Sequence, residues 1–332
     1  MFHHLLVTGG AGFIGSAFIR TLFRSSFFTG RIVNLDLLTY AADLENLAGL
    51  HDHPRYRFMQ GDICDQPLIE QLIAHHDIDA IVHFAAETHV DRSIVSAAPF
   101  VDTNVKGTLS LLEALRKFPH VHFHHISTDE VYGALQTGGA FNEASPYRPN
   151  SPYSASKAAS DHLVRAFAHT YNLSTTVSHC SNNYGPCQFP EKFIPLMIVN
   201  CLAGKPLPVY GRGANVRDWL YVDDHAEAIL SILRLGKKGE TYDIGGRAEL
   251  SNIELVYMLI DILAAETKEA PALYRALIRF VNDRPGHDFR YAIDSSKIER
   301  ELGWHPKTPL NEGLRNTVKW YMSDSVNRSQ KV

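Results

Sequence analysis

The chain has 332 residues, of which 45% are hydrophobic and 20% are charged. This composition is that of a globular protein with enough apolar material for one large domain or two coupled ones. The formal net charge of −4 excludes the overall basic field that is typical of nucleic-acid and membrane-surface proteins. We therefore expect no nucleic acid and no membrane as partner, and an anionic ligand would need a local cluster of Arg and Lys.

The cysteines and the amino terminus indicate a reducing compartment. Cys64, Cys180, Cys187 and Cys201 show neither a C-x-x-C pair nor a zinc-like spacing, which favours free thiols. The first apolar run, 5–7, is too short for the central region of a signal peptide. No stretch approaches the length of a membrane-spanning helix. The expected location is the cytoplasm.

The first residues predict a strand, a glycine-rich turn and a helix. An apolar strand over His4 to Thr8 leads into glycines 9, 12 and 15, and apolar residues then recur at helical spacing. Gly9, Gly12 and Gly15 permit a tight turn and a close approach of the backbone to a pyrophosphate at the helix N-terminus. A glycine triplet alone is a weak signal. Its position between a strand and a helix favours a dinucleotide site.

An acid ends the second predicted strand, Arg31 to Asp36. Asp36 follows Gly15 by 21 residues, a distance that suits a hydrogen bond to a ribose 2′-hydroxyl and would repel a 2′-phosphate. The alternative is an aspartate that caps the next turn. Strand, loop, helix and acid in this order favour a cofactor site, and NAD over NADP.

Strands and helices continue to alternate. Predicted strands cover 56–60, 79–84, 121–126 and 174–180, and predicted helices cover 68–75 and 104–115, with Leu109, Leu112 and Leu115 as the apolar stripe of the second. This order predicts an α/β fold, a Rossmann-type doubly wound parallel sheet with a smaller, mixed α/β C-terminal substrate lobe. Asp62, after the third strand, is placed to reach an adenine, and the small residues Ala85 and Ala86 let the backbone lie against a flat cofactor.

The strand over 121–126 contains three histidines. Alternation places His122 and His124 on one face and His125 on the other. No third ligand is evident beside them, so we interpret them as packed or hydrogen-bonded and expect no metal site.

Two adjacent carboxylates, Asp129 and Glu130, follow this strand. Ligands of α/β proteins bind just outside the carboxyl ends of such strands. Adjacent carboxylates can serve as acid and base when their surroundings separate their pKa values. The alternative is that they cap a turn or the next helix. The pair taken alone favours the cap.

A second pair lies one βα unit further on. Tyr153 and Lys157 are four residues apart on a predicted helix, so both project from one face. A nearby ammonium stabilises a phenolate and lowers the tyrosine pKa, which allows tyrosine to act as a base near neutral pH. The spacing Y-x-x-x-K also occurs by chance on helix surfaces, and only its position favours catalysis.

The second half of the chain changes in pattern. A polar loop is predicted over 181–186, helices over 192–202, up to 235, over 252–263 and over 310–322, and a frayed polar tail from Ser323. No clean linker or internal repeat occurs. The predicted division is a cofactor domain over 1–180, completed by parts of 215–246, a discontinuous substrate lobe over 181–322, and a tail over 323–332.

Taken together, these motifs resemble the extended short-chain dehydrogenases/reductases and, within them, the nucleotide-sugar 4,6-dehydratases. The resemblance runs from the glycine motif at Thr8 to the loop Asp283-Arg284-Pro285-Gly286-His287. The glycine loop, Y-x-x-x-K and Asn182-Asn183-Tyr184-Gly185-Pro186 are shared with epimerases and decarboxylases. Thr128-Asp129-Glu130 favours the dehydratases, because related epimerases usually carry small or hydroxyl residues there and the decarboxylases typically have only the glutamate.

The resemblance implies a hydro-lyase that oxidises a nucleotide-diphosphate glucose at carbon 4, eliminates water across carbons 5 and 6, and returns hydride to carbon 6 with NAD regenerated. In this scheme Tyr153, helped by Lys157 and Thr128, takes the proton of the 4-hydroxyl. Glu130 takes the proton of carbon 5, and Asp129 protonates the leaving 6-hydroxyl. The favoured substrate is dTDP-glucose, and the product is a 4-keto-6-deoxy sugar.

The resemblance also implies two sets of binding residues and a homodimer paired through helices 105–115 and 156–169. The cofactor set contains residues already discussed, Gly9, Gly12, Gly15, Asp36, Asp62, Tyr153 and Lys157. It also contains Phe13, Ile14, Thr39, Ile63, Ala85, Ala86, Thr103 and Asn183. The substrate set is Thr88, Thr128, Asn182, Lys192, Phe193, Pro208, Tyr210, Arg217, Arg284 and His287. Arg217 and Arg284 are the expected diphosphate clamps, although either alone could be a surface salt-bridge residue.

Two departures from the family pattern leave the substrate open. The segment between Gly133 and Pro152 is shorter than in some relatives, and Asp243 stands where several relatives have an Asn that contacts the substrate. A carboxylate would sit poorly beside a diphosphate. The alternatives are a 4,6-dehydratase acting on a UDP- or N-acetyl sugar, a nucleotide-sugar 4-epimerase, or a catalytically silent sensor of dinucleotides and nucleotide sugars.

Overall fold

The computed structural model describes residues 2–136 and 138–329, without the side chains of 324–329. Its strands are β1 (His4–Thr8), β2 (Arg31–Asp36), β3 (Tyr56–Gln60), β4 (Ala80–His83), β5 (His122–Thr128), β6 (Thr175–Cys180), β7 (Asn182–Tyr184), β8 (Leu207–Tyr210), β9 (Val216–Tyr221), β10 (Thr241–Ile244), β11 (Glu249–Ser251) and β12 (Ile278–Val281).

The α-helices are α1 (Phe13–Arg24), α2 (Gln66–His75), α3 (Val90–Val95), α4 (Ala98–Phe100), α5 (Thr108–Leu115), α6 (Pro152–Tyr171), α7 (Phe193–Leu202), α8 (Val222–Leu235), α9 (Asn252–Thr267), α10 (Pro271–Arg275), α11 (Ser296–Leu302) and α12 (Leu310–Ser329). A π-helical turn, Val101–Gly107, joins α4 to α5. Two 3-10 helices cover Leu44–Leu50 and Asp129–Tyr132.

Seven parallel strands form the main sheet in the order β10-β6-β5-β4-β1-β2-β3. The order reverses between β1 and β4, which is the topological switch point of a doubly wound fold. Two small sheets, β11-β9-β7 and β12-β8, belong to a smaller lobe. The predicted Rossmann-type fold class is confirmed.

Helices cover both faces of the main sheet, so its strands are buried on both sides. One face packs on α1 and α8 through residues such as Phe18, Leu22 and Ile229. The other packs on α2, α5 and α6, with Leu111 and Val164 fully buried. Each such side chain contributes about 1.5 to 3 kcal/mol by leaving water. The smaller lobe has its own core, made mainly by α7, α9 and α12.

The structure corrects four sequence predictions. The segment predicted as a polar loop contains β7, whose three residues pair with β9. The helix predicted over 104–115 is the end of a longer helical stretch with a π-turn, and its apolar stripe uses Leu111 rather than Leu109, which is 36% exposed. The π-turn shifts the face that periodicity would assign. Helix α12 includes residues 323–329, where a frayed tail was predicted, while 330–332 lie outside the described residues.

Within the described part of the chain, none of the helices has the length and apolarity needed to cross a membrane. In the described ranges, Cys64, Cys180, Cys187 and Cys201 form no disulfide.

Candidate active site

A deep pocket lies at the carboxyl ends of β1, β2, β4, β5 and β6, around the switch point of the main sheet. All the residues predicted to bind a dinucleotide line it. They are Gly9, Gly12, Phe13, Ile14, Gly15, Asp36, Thr39, Asp62, Ile63, Ala85, Ala86, Thr103, Tyr153, Lys157 and Asn183.

The glycine loop leaves no room for side chains. A Cβ on Gly9 would lie 2.6 Å from the backbone nitrogen of Ala85, and one on Gly15 would lie 2.3 Å from the carbonyl oxygen of Gly9. Helix α1 begins after Gly12 without a side-chain cap and without an acid in its first turn. Its first N–H groups are therefore available to an anion, as a bound pyrophosphate requires.

Asp36 is fixed at the end of β2. Its Oδ2 accepts the N–H of Ala11 at 2.9 Å and its Oδ1 accepts the N–H of Leu38 at 2.8 Å. Burial raises the pKa of Asp36, and these two hydrogen bonds oppose the increase. Each oxygen keeps a second lone pair, so the carboxylate is placed to accept a ribose hydroxyl. The pocket residues therefore fit a dinucleotide.

Thr128, Asp129 and Glu130 stand at the end of β5 and line the same pocket. Thr128 caps the following 3-10 helix, because its hydroxyl accepts the N–H of Glu130 at 3.3 Å. The two acids therefore do not serve as the cap, which was the alternative interpretation. Asp129 is 1% exposed, and its Oδ2 has no hydrogen-bond partner among the described residues. A buried carboxyl oxygen without a hydrogen-bond partner costs stability, so its presence here points to a role in the site.

The surroundings of the two acids differ. Burial, and then the charge of Glu130, raises the pKa of Asp129 well above its ordinary value. Burial also raises the pKa of Glu130, but the cations Arg217, Arg284 and Lys192 oppose that increase. Asp129 is therefore held toward the protonated form, and Glu130 has three positive charges that favour its ionised form.

Tyr153 and Lys157 project into the pocket from α6, which begins with a capping box formed by Ser151 and Ser154. Burial, followed by the charge of Glu130, raises the pKa of Tyr153 well above its ordinary value. Phenolate formation there needs a compensating positive charge. Lys157, whose Nζ donates to the carbonyl of Ile126 at 2.8 Å, is placed on the same helix face to supply it.

Of the predicted substrate residues, Thr88, Thr128, Asn182 and Lys192 line the pocket. The others lie outside its lining. The Tyr210 hydroxyl and the Arg284 guanidinium both bond to Asp91, at 3.1 and 2.9 Å, and His287 packs edge-on against Tyr210. Phe193 stacks on Trp219, and Pro208 lies in β8.

Arg217 is 5% exposed, which excludes a surface salt bridge. Its guanidinium donates to the carbonyls of Val216 and Asp288 at 2.8 and 2.9 Å and lies 4.4 Å from the centre of the Tyr291 ring. Its charge acts on Asp129 and Glu130.

Asp243 does not face the pocket, contrary to the expectation that it would lie beside a diphosphate. It is fully buried on β10, where its Oδ1 lies 3.0 Å from His179 Nδ1 and accepts the Tyr132 hydroxyl at 2.9 Å. Its carboxylate is directed to Tyr132 and His179 in the interior of the fold, so it does not reach the pocket.

The three strand histidines have polar partners. His122 and His124 both bond to Thr176, and His125 faces Asp161 from the other side of the strand, as the alternation predicted. In the described ranges 2–136 and 138–329, no group of three or more His, Cys, Asp or Glu residues is arranged to hold a metal ion.

Sequence reasoning missed several pocket residues. Leu37, Glu87, Ser127 and Ser181 each lie one position from a predicted residue, at a strand end or in the loop after it, and Cys180 ends β6. Taking whole strand-end segments would have included all five. Gln188, Phe189 and Glu191 come from the loop before α7, which carried no separate signal.

Comparison with known proteins agrees with this geometry. A family model described as GDP-mannose 4,6 dehydratase matches residues 6–317. The dTDP-glucose 4,6-dehydratase of Neisseria gonorrhoeae is 54% identical, over 98% of this chain and 97% of the relative.

Two solved structures are similar over nearly the whole chain. The dTDP-glucose 4,6-dehydratase of Streptomyces venezuelae, solved with NAD bound, is 48% identical with a TM-score of 0.92 and covers 97% of this chain and 98% of its own. The enzyme of Bacillus anthracis, in complex with NAD, is 46% identical with a TM-score of 0.89 and covers 98% of each chain. Across nearly its whole length, the chain belongs to the family of dTDP-glucose 4,6-dehydratases.

Proposed function

We propose that the protein is an NAD-dependent hydro-lyase that converts dTDP-glucose to its 4-keto-6-deoxy derivative. The observation that carries this proposal is the pair Asp129 and Glu130 at the end of β5, in a pocket that also contains Tyr153 and Lys157. Elimination needs an acid and a base at neighbouring atoms, and adjacent carboxyls in unlike surroundings provide both.

The chemistry that NAD supplies when bound is that of a hydride acceptor and donor. Tyr153, with Lys157 charged nearby and Thr128 as hydrogen-bond partner, takes the proton of the sugar 4-hydroxyl. The ketone formed at carbon 4 acidifies the proton on carbon 5, and Glu130 removes it. Asp129 gives its proton to the 6-hydroxyl, which leaves as water. When hydride returns to carbon 6, Glu130 gives its proton back to carbon 5, which completes the 4-keto-6-deoxy product.

Buried polar atoms without partners support a polar substrate at this place. In the pocket lining they are Asp129 Oδ2, Ser181 Oγ, Asn182 Oδ1 and Gln188 Oε1, each without a hydrogen-bond partner in the described part of the chain. Such groups are expected to bond to something that enters the site. We propose that Thr88, Asn182 and Lys192 hold the sugar and that Phe193, Pro208, Tyr210, Arg217, Arg284 and His287 hold the nucleotide.

We also propose a cytoplasmic homodimer paired through residues 105–115 and 156–169. Val101 and Leu109, 45% and 36% exposed, lie eight residues apart on either side of the half-buried Val105. An apolar row of this kind on a helical surface is typical of an interface.

The test is to incubate the purified protein with dTDP-glucose, with and without added NAD, and to follow the product by mass spectrometry. The proposal expects loss of one water and no net consumption of NAD. UDP-glucose and UDP-N-acetylglucosamine form the comparison panel, because they differ from dTDP-glucose in the base and, for the second, in the sugar.

Two outcomes would replace the proposal. An unchanged mass with inverted stereochemistry at carbon 4 would indicate a 4-epimerase. Binding of NAD and nucleotide sugar without turnover across the panel would indicate a sensor.

A further inference from the structure

A row of buried polar side chains adjoins the catalytic pocket, on the sheet face that packs against α6. Ser127 on β5, His179 on β6 and Asp243 on β10 are cross-strand neighbours. Asp161 of α6 closes the row, since its Oδ2 accepts the Ser127 hydroxyl at 2.8 Å and lies 3.1 Å from His179 Nε2. His179 thus stands between two carboxylates.

This row reaches Lys157 by two routes. Asp161 follows Lys157 by one helical turn, so both side chains project from the same face of α6. His125 lies between them, with its Nε2 3.1 Å from Asp161 Oδ1 and 3.5 Å from Lys157 Nζ. His125, Lys157 and Asp161 are at most 4% exposed, so their charges interact with little screening by water.

The charges of the row follow from these contacts. Burial alone would raise the pKa of Asp161, but the hydrogen bonds from His125 and His179 lower it below the usual range. Burial would lower the pKa of His179, yet Asp161 and Asp243 raise it to about 9. Burial lowers the pKa of His125 to about 4, so this ring is neutral. At neutral pH the row contains an ionised Asp161 and a charged His179.

The charges of this row affect the pKa of Lys157. Burial lowers the pKa of Lys157 to about 8, and the negative charge of Asp161 opposes the decrease. A lysine that loses its proton cannot stabilise the Tyr153 phenolate. The reaction proposed above therefore needs a device that keeps this buried amine charged.

We propose, on the basis of the function proposed above, that Asp161 is a positioning residue of the oxidation step. Its carboxylate, fixed by Ser127, His125 and His179, keeps the Lys157 ammonium charged and in place beside Tyr153. Asp161 itself does not line the pocket and acts through Lys157.

Several other titratable groups surround Lys157 and Asp161. Those that act on or are acted on by Lys157 and Asp161, from β4, β5, β6 and the loop before α6, are His83, His125, Tyr147, His179 and Cys180. Burial, with Asp129 adding to it, raises the pKa of the Cys180 thiol to about 12, so this thiol stays neutral. Asp161 is therefore the nearby anion on which the charge of Lys157 depends.

The test replaces Asp161 by Asn and measures two pH profiles. The first is the initial rate of NADH formation on adding dTDP-glucose, which reports the oxidation step. The second is the acetylation of Lys157 by acetic anhydride without sugar, quantified by peptide mass spectrometry, which reports its protonation independently of turnover. In Asp161→Asn both profiles should move to lower pH by about 1 unit or more. The control is Asp79→Asn, which removes a carboxylate at the amino ends of the strands, on the opposite side of the sheet from the pocket mouth, where it accepts the N–H groups of His3 and His4.

A second variant protects the test against misfolding. Asp161→Asn combined with His179→Gln removes one buried anion and one buried cation, so the net charge of the row is unchanged, whereas Asp161→Asn alone changes it. The double variant should shift the pH profile of Lys157 acetylation to lower pH, as Asp161→Asn alone does. A folded variant of either kind with the wild-type acetylation profile would overturn the proposal. A wild-type protein that binds NAD but leaves dTDP-glucose unchanged would overturn the proposed function instead, while the acetylation profiles would still decide the role of Asp161.

Discussion

At the scale of single residues, the unlike surroundings of Asp129 and Glu130 make a sharp prediction. Glu130→Gln should leave substrate-dependent NADH formation detectable and slow the loss of water roughly a hundredfold or more, because the base is absent while Tyr153 is intact. Stopped-flow absorbance of NADH, combined with product mass, measures the two steps separately. Asp129→Asn is the matched comparison and should also accumulate NADH. A Glu130→Gln protein unable to oxidise carbon 4 would contradict the assigned role.

His179 makes a prediction about stability and pH. Its pKa in the folded state, about 9, is raised above the unfolded value, so its contribution is fully present below about pH 6.5 and is lost as the pH rises through about 9. The stability lost in His179→Gln, measured by urea unfolding, should therefore be largest at pH 6 and shrink toward pH 9.5. His225→Gln is the control, because burial lowers the pKa of His225 to about 3 and the ring is uncharged throughout this range. An equal loss of stability at both pH values would show that the charge of His179 does not contribute to stability.

Residue identity and residue surroundings differ in how far they can be predicted. The acids, the tyrosine and the lysine were found from spacing because they follow strands or share a helix face. The burial of Asp243 was not predicted, because its partners Tyr132 and His179 come from distant segments that only the folded sheet brings together. Long-range pairing of this kind leaves no local pattern.

At the scale of elements, the loop between β1 and α1 is the most constrained part of the pocket. Gly15→Ala should reduce NAD affinity and cost about 1 to 3 kcal/mol of stability, because its Cβ would lie 2.3 Å from the carbonyl oxygen of Gly9 and the loop must shift. Thermal unfolding with and without NAD, and the NAD content of the purified protein, measure both effects. Gly49→Ala is the control, since a Cβ there meets no atom within 4 Å. Unchanged NAD binding in Gly15→Ala would contradict the assignment of the loop.

The bounds of elements were predictable where the apolar period was simple. The predicted bounds of β1, β2 and β3 agree with the structure to the residue. The start of the helix that ends at Leu115 was not predictable. The π-turn over Val101–Gly107 changes the number of residues per turn, and no glycine or proline pattern indicates it. The short strand β7 exists only through its pairing with β9, so the isolated sequence was interpreted as a loop.

At the scale of the whole molecule, the proposed dimer is testable by one substitution. Leu109→Arg places a charge in the apolar row that includes Val101 and Val105, and should convert a dimer to monomers in sedimentation velocity. Leu202→Arg on α7 is the matched control, because Leu202 is also 36% exposed but lies in the smaller lobe. A wild-type protein that sediments as a monomer at micromolar concentration would contradict the dimer.

The place of β10 has a consequence for how the chain is synthesised. We propose that 1–180 with parts of 215–246 forms one folding unit, and β10, at 241–244, lies at the edge of the main sheet next to β6. A nascent chain that has reached residue 180 has an unpaired edge along β6 and lacks the carboxylate that faces His179. Since exposed strand edges invite pairing with other chains, the ribosome must add some sixty residues, about 3 to 12 seconds of elongation, before that edge is covered. A protein cut after residue 180 is therefore expected to aggregate rather than fold.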